Sequence, residues 1–163
     1  MIRLLLALLL TGCAHQVVKA PEGGGLYPFG KYQHDVKIHI LSPDKTMEMR
    51  GVVSYTPSTL KVIGLSSFGT TVFRIEENLQ TGEVKKEFYL DVIRKNEDRF
   101  IGFYKMIREL MLAAKGTTDF TRGPAHFTVS EPDSSGIYRK IHVTHPQIEL
   151  DVRVDQYEFG GKS

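Results

Sequence analysis

Alternating apolar and polar positions along most of the chain predict the strands of a sheet with one buried face. The alternation begins over 36–40 and continues on one face through Met47, Met49, Gly51, Val53 and Tyr55. Successive side chains of a strand point to opposite faces, so a period of two places these residues together. Turn residues separate further segments, which predict strands over 71–76, 83–92, 125–130, 136–144 and 148–158. The segment 60–65 is apolar on both faces, at Val62, Ile63 and Leu65, which predicts a strand covered on both sides.

One segment has a different period. Between Asp98 and Lys115 the apolar residues recur at spacings of three and four, as in Phe100, Phe103, Tyr104, Ile107, Met111 and Ala114. This spacing predicts one amphipathic helix. Asn96 or Asp98 is expected to cap its start, and Gly116 is expected to end it in a left-handed turn.

These elements predict an α+β fold built on one antiparallel sheet. About eight or more strands in mostly hairpin order, with a single long helix, favour a strongly curved sheet that forms an open half-barrel with the helix on its concave side. A single helix leaves part of such a concavity unfilled, which predicts an apolar cavity for a hydrophobic ligand. Its candidate lining residues are Met47, Met49, Val53, Val62, Phe100, Phe103, Ile107 and Met111. The alternative for each methionine is ordinary core packing.

The first thirteen residues have the pattern of a secretory signal. A positive start at Arg3 precedes an apolar run from Leu4 to Leu10, which is far shorter than the roughly 20 residues of a membrane-spanning helix. The residues Leu10-Thr11-Gly12-Cys13 resemble the lipobox of bacterial lipoproteins. The resemblance implies a signal peptide over 1–12 and acylation of Cys13, which anchors the chain in a membrane. The alternative is an ordinary secretory signal with an incidental cysteine.

The region after Cys13 divides into a tether and a folded domain. Residues 13–30 contain Gly23-Gly24-Gly25, Pro21 and Pro28, a composition typical of a flexible linker. We expect the β domain over 31–160. Ala14 is not the Asp that favours inner-membrane retention in enterobacterial lipoproteins, so the lipobox resemblance implies delivery to the outer membrane on its periplasmic side.

Composition and charge exclude several classes of function. The formal net charge is +2, from 21 basic and 19 acidic residues with the two signs interspersed, which is unlike a nucleic-acid-binding surface. The single cysteine excludes an internal disulfide and a multi-thiolate metal site. His142 and His145 are predicted on opposite faces of a strand, so the sequence predicts no metal site.

Enzyme activity is not expected either. Residues 64–68 begin like the G-x-S-x-G nucleophile elbow of hydrolases, but they end in Phe68 and join two predicted strands. The elbow requires a strand followed by a helix. We therefore predict no catalytic residues and no cofactor.

Two stretches resemble the LolA/LolB type of lipoprotein-localisation carriers. The first is Arg50-Gly51-Val52-Val53 followed by 60–75, and the second runs from Lys140-Ile141-His142-Val143 through 148–157. The predicted acylated cysteine makes the chain more similar to LolB. The resemblance implies a monomeric half-barrel whose cavity holds the acyl chains of other lipoproteins. It also implies that cargo comes from a LolA-like periplasmic carrier and is inserted into the outer membrane.

The resemblance also implies an exposed hydrophobic residue on a loop between two strands. By motif this residue is Phe68, in a turn that Gly69 permits. The alternative is that Phe68 folds back onto the core. The chain departs from the family in having one clear helix and no tryptophan. A scaffold lipoprotein that binds a protein partner, and a carrier of a different lipid, are therefore the alternative functions.

Overall fold

The computed structural model describes residues 24–42 and 44–160. The predicted signal peptide and Cys13 lie outside these residues. The elements in chain order are β1 (Gly30–Leu41), β2 (Asp44–Tyr55), β3 (Thr59–Leu65), β4 (Thr71–Asn78), β5 (Val84–Phe88), α1 (Asp91–Arg94), α2 (Glu97–Leu112), β6 (Asp119–Arg122), β7 (Ala125–Pro132), β8 (Tyr138–His145) and β9 (Ile148–Phe159).

The strands form one open antiparallel sheet in the order β5-β4-β3-β2-β1-β9-β8-β7-β6. The short strands β5 and β6 are its two edges. With α2 as its main helix, the fold is α+β and mostly sheet, which confirms the predicted class. We call the face on which α2 packs the inner face.

The sheet is compatible with a curved half-barrel. Phe73 of β4 and Phe127 of β7 line one cavity. These strands are six places apart in the sheet order, a separation of about 29 Å in a flat sheet at about 4.8 Å per strand. Because both side chains reach one small cavity beside α2, the inner face must be concave.

The antiparallel order assigns each connection to one of two ends. The turns β1–β2, β3–β4, β6–β7 and β8–β9 lie at one end, which we call the Phe68 end. Tyr27, Tyr32 and Tyr55 lie at the opposite end, which we call the tyrosine end, and all three are buried. The Tyr27 hydroxyl donates to the carbonyl of Tyr138 (2.9 Å), and the Tyr32 hydroxyl donates to that of Pro28 (2.6 Å).

The predicted strand over 83–92 is wrong beyond Phe88. The amide of Tyr89 still donates to the carbonyl of Val72 (3.1 Å). Since β4 begins at Thr71, a strand continuing past Tyr89 would have almost no partner left. The chain instead forms the short helix α1, with Asp91 in its first turn.

The helix prediction is confirmed in position but not at its ends. α2 ends at Leu112, three residues before the predicted Lys115, because Ala113 has extended backbone angles and its carbonyl accepts the amide of Leu26 (2.6 Å). The Asn96 side chain does not cap α2 but donates to the carbonyl of Val92 (2.8 Å). Gly116 is left-handed at φ +83°, beyond the end of the helix. Strand β6 was not predicted, because only Phe120 of its four residues is apolar.

The described part of the predicted tether is packed. Leu26 and Tyr27 belong to the core, and the ring of Phe29 lies edge-on to that of Tyr55 at 4.9 Å between centroids. β1 already begins at Gly30. Residues 24–30 therefore cover the tyrosine end of the fold, because their apolar side chains fill space between the sheet and the end of α2.

Gly25 has a packing reason to be glycine. A Cβ atom there would lie 2.3 Å from the carbonyl oxygen of Met111 and 2.6 Å from that of Ala113. We expect Gly25→Ala to lower the free energy of unfolding by about 1–3 kcal/mol, because backbone must move. Gly102→Ala is the matched control, since nothing lies within 4 Å of its Cβ position, and we expect it to raise stability by about 0.5–1 kcal/mol. If the two variants unfolded at the same urea concentration, the close packing of Gly25 against the end of α2 would be contradicted.

None of the helices among residues 24–42 and 44–160 has the length and hydrophobicity needed to cross a membrane.

Candidate functional site

An apolar cavity of about 60 Å³ lies between α2 and the inner face of the sheet. α2 contributes one side of it, through Phe103, Met106, Ile107, Leu110 and Met111. These positions lie on one face of the helix because they repeat at three and four residues. The sheet contributes the other side from strands β1 to β4 and β7 to β9.

Six of the eight predicted cavity residues line this cavity. They are Met49, Val53, Val62, Phe103, Ile107 and Met111. The prediction was wrong for Phe100, whose buried ring packs on Phe73 at 5.2 Å between centroids. It was also wrong for Met47, which is partly buried at the edge of the core and does not reach the cavity.

Two glycines that pattern analysis did not single out as site residues deepen the inner face. Gly51 of β2 and Gly64 of β3 are directly paired, between His34 of β1 and Phe73 of β4. The Phe73 ring occupies the space above Gly64, since a Cβ there would lie 2.1 Å from its Cε1 atom. A Cβ on Gly51 would meet its nearest atoms only at 3.8 Å. The open space above Gly51 is therefore part of the cavity.

His34 is the polar side chain of the cavity lining. It follows the alternation of Tyr32, Val36 and Ile38 onto the inner face and is 7% exposed. Burial alone lowers the pKa of His34 to about 4, so the ring is neutral at pH 7. The alternation could have indicated this position, but a histidine on an apolar face gives no signal of the cavity it faces.

The buried His34 predicts a loss of stability in mild acid. Its pKa is about 4 in the folded protein and about 6.5 in the unfolded chain. Below pH 6.5 the unfolded chain binds a proton that the folded protein does not, so stability falls with falling pH, by about 2 kcal/mol at pH 5. We expect His34→Leu to remove this part of the pH dependence in urea unfolding between pH 7.5 and 5. A variant that kept the wild-type dependence would show that other groups cause it.

Several apolar side chains of the inner face between the cavity and the Phe68 end are only partly buried. Val36 pairs with Met49 on one side and Val152 on the other, and all three side chains are only partly buried. Ile40 and Ile148, nearer the turns, are also partly buried. Ile38 and Leu150 lie between these two sets and are buried, at 1% and 4% exposure. The inner face from the Phe68 end to the cavity is therefore an apolar strip that is closed at its middle, whereas tyrosines close the other end.

Phe68 lies at the tip of the β3–β4 hairpin with 94% of its surface exposed. The amide of Ser66 donates to the carbonyl of Thr70 and that of Gly69 to the carbonyl of Ser66, both at 2.9 Å. Gly69 has φ +79°, a conformation that favours glycine. The alternative in which Phe68 folds back on the core is therefore wrong.

Exposed large apolar side chains concentrate at the same end. Seven are exposed among the described residues, and five lie at or beside the Phe68 end: Leu41, Phe68, Tyr89, Leu90 and Val92. Tyr89 is held there by its hydrogen bond to Val72. The Phe68 end thus presents apolar groups on several separate connections.

The other candidate chemistry forms no cluster. The Ser66 hydroxyl accepts the amide of Thr70 within the hairpin (3.2 Å). His142 pairs with Asp151 across two strands (2.8 Å) and His126 with Asp119 (3.3 Å). Within residues 24–42 and 44–160, no three metal-ligating side chains converge. No family model and no curated protein matches this chain.

Proposed function

We propose that the protein is a LolB-like lipoprotein of the outer membrane, anchored through Cys13 and facing the periplasm. It binds the acyl chains of lipidated cargo on the inner face of its sheet, accepts that cargo from a LolA-like carrier, and inserts it into the membrane. No step of this function breaks a bond. The proposal rests on the sequence resemblance together with one observation, the placement of Phe68.

That observation is the position of an exposed phenylalanine on a hydrogen-bonded hairpin, at the end of the sheet where the apolar strip begins. A hydrophobic tip there enters the leaflet beside the mouth of the cavity and aligns the mouth with the bilayer. One phenylalanine contributes about 1.5–3 kcal/mol on burial. This is small beside a multiply acylated anchor, so its effect is local.

Cargo binding requires the cavity to enlarge. Ligand pockets commonly measure about 300–1,000 Å³, against about 60 Å³ here. In the proposed mechanism α2 moves away from the sheet, and the flexible side chains of Met49 and Met106 rearrange around the entering chain.

The small cavity is also the observation that favours the alternative, a scaffold lipoprotein that binds a protein partner. Uptake of a palmitoylated cysteine peptide, followed by fluorescence, distinguishes the two. We expect the wild type to bind the peptide. Gly51→Val should bind it at least tenfold more weakly, because the added carbons occupy the cavity, while Gly102→Ala should bind like the wild type. Absence of uptake by the wild type would favour the scaffold.

Anchoring gives a separate prediction. The apolar run before Cys13 is too short to span a bilayer, so acylation is the proposed means of attachment. We expect Cys13→Ser to leave an unprocessed or soluble species, detected by membrane fractionation and by the loss of fatty-acid labelling. If the variant were still labelled and recovered with the outer membrane, the lipobox interpretation would be wrong.

A further inference from the structure

The cavity has one hydrogen-bonding side chain in an otherwise apolar lining, and that side chain is His34. Its ring is buried, and its lowered pKa comes from that burial and not from a charged neighbour or a hydrogen bond. Among the described residues only the Tyr55 hydroxyl is fully buried without a hydrogen-bond partner, so the slightly exposed ring of His34 is not an orphaned group. A ligand that hydrogen-bonds to a desolvated imidazole gains free energy from that bond.

The groups around His34 leave its ring available to a ligand. The nearby ring of Tyr32 lies at 6.3 Å between centroids, and the hydroxyl of Tyr32 is already bonded to Pro28. The charged residues of the inner face, Glu77 and Arg108, bind each other and do not line the cavity. No ionised side chain among the described residues therefore competes for the imidazole within the cavity.

His34 lies near the inner end of the apolar strip, with Val53 of β2 lining the cavity further towards the tyrosine end. Val36 and Met49 lie on the side of the Phe68 end, and Gly51 faces His34 across the strands. On the other side, Tyr32 is fully buried and begins the tyrosine end. A chain that enters from the Phe68 end passes Ile38, Val36 and Met49 and then meets His34, the one side chain of the lining that can form a hydrogen bond with it.

We propose that this cavity binds a long-chain fatty acid with its carboxyl group inward on His34 and its hydrocarbon chain directed along α2 towards the Phe68 end. The inference rests on the proposed function in one respect, that the cavity admits an acyl chain. It differs in the ligand, because the acyl chains of lipidated proteins are esters or amides and have no free carboxyl group.

Binding in this orientation takes up one proton. Near pH 7 the free fatty acid is a carboxylate and the free His34 is a neutral imidazole. A carboxylate beside a neutral ring in an apolar cavity is costly. One proton from water, shared as carboxyl and imidazole or as carboxylate and imidazolium, makes the pair neutral overall. Affinity for the acid should therefore fall by about tenfold per pH unit as pH rises above about 5, because the free folded His34, with a pKa of about 4, and the free carboxyl group have then both lost their protons.

Calorimetry of the purified protein tests this orientation with three probes of equal chain length: hexadecanoate, hexadecanol and methyl hexadecanoate. Titrations in two buffers of different ionisation enthalpy count the protons. We expect about one proton taken up with hexadecanoate and none with the other two probes. His34→Leu should weaken the binding of hexadecanoate at least tenfold at pH 7 and leave the binding of the methyl ester unchanged. His34→Gln should keep hexadecanol binding and lose the proton uptake.

His126→Gln is the matched control, because His126 is on the outer face beside Asp119. It should bind all three probes like the wild type. Equal binding of the acid and its methyl ester, unaffected by His34→Leu, would overturn the carboxyl-inward orientation and leave acyl-chain binding in place. If none of the probes bound, the cavity would not admit an acyl chain, and both this inference and the proposed function would fail.

Discussion

Replacing Phe68 with glutamate is expected to slow the release of acylated cargo into liposomes by about tenfold to a hundredfold, with folding and uptake unchanged. The phenylalanine contributes about 1.5–3 kcal/mol when it enters an apolar phase, and a carboxylate gives no such contribution. If this energy lowers the barrier for release, the rate changes by the stated factor. The side chain is 94% exposed, so we expect stability to change by less than about 0.5 kcal/mol.

Two further variants make this result specific. Phe68→Leu should release cargo at close to the wild-type rate, because it keeps an apolar tip. Phe159→Glu replaces an exposed apolar residue at the end of β9, at the opposite end of the sheet, and should have no effect on release. Wild-type release from a stably folded Phe68→Glu protein would remove Phe68 from the mechanism.

Replacing Glu77 with alanine is expected to lower the free energy of unfolding by about 3–5 kcal/mol. Glu77 is buried on β4 and accepts two bonds from Arg108 Nε, at 2.8 and 3.0 Å, and one from the Tyr104 hydroxyl. Both partners are on α2, so the carboxylate attaches the helix to the sheet. Its removal leaves the Tyr104 hydroxyl without its partner and the largely buried guanidinium of Arg108 with only the longer contact to Glu109, at 3.4 Å.

The neighbouring residue provides the control. Glu76 faces outward, where it pairs with Lys61 (2.9 Å) and Arg74 (3.0 Å) at about one-third exposure. Glu76→Ala should cost less than about 1 kcal/mol in the same urea unfolding experiment. The double replacement Glu77→Leu with Arg108→Met should recover much of the stability lost in Glu77→Ala, because no charge is then left buried. Similar losses for Glu76→Ala and Glu77→Ala would show that the buried pair is not the main attachment.

The elements with a repeating apolar pattern were predictable because their signal is local. Alternation over β1 and β2 and the three-and-four spacing of α2 determined which side chains face inward, and six predicted cavity residues lie where those periods place them. The Phe68 turn was also visible, because Gly69 and two serines stand between two apolar runs. Segments with little pattern, such as β6, were missed.

The sequence by itself therefore determined the α+β class, the position of most strands along the chain and the inward face of those that alternate. It did not do so for β3, whose apolar residues on both faces predicted cover on both sides although every second residue is only partly buried. Only the tertiary structure decided which faces meet across the curved sheet. Gly25 looks like linker sequence until the carbonyls at the end of α2 come within 2.3 Å of its Cβ position. Distant strands and α2 likewise determine the exposure of Phe68, the open space above Gly51 and the burial of His34 in an apolar lining. Such properties depend on close packing between residues far apart in the chain. The period of one strand shows which side chains share a face, but it carries no information about which distant residues pack against that face.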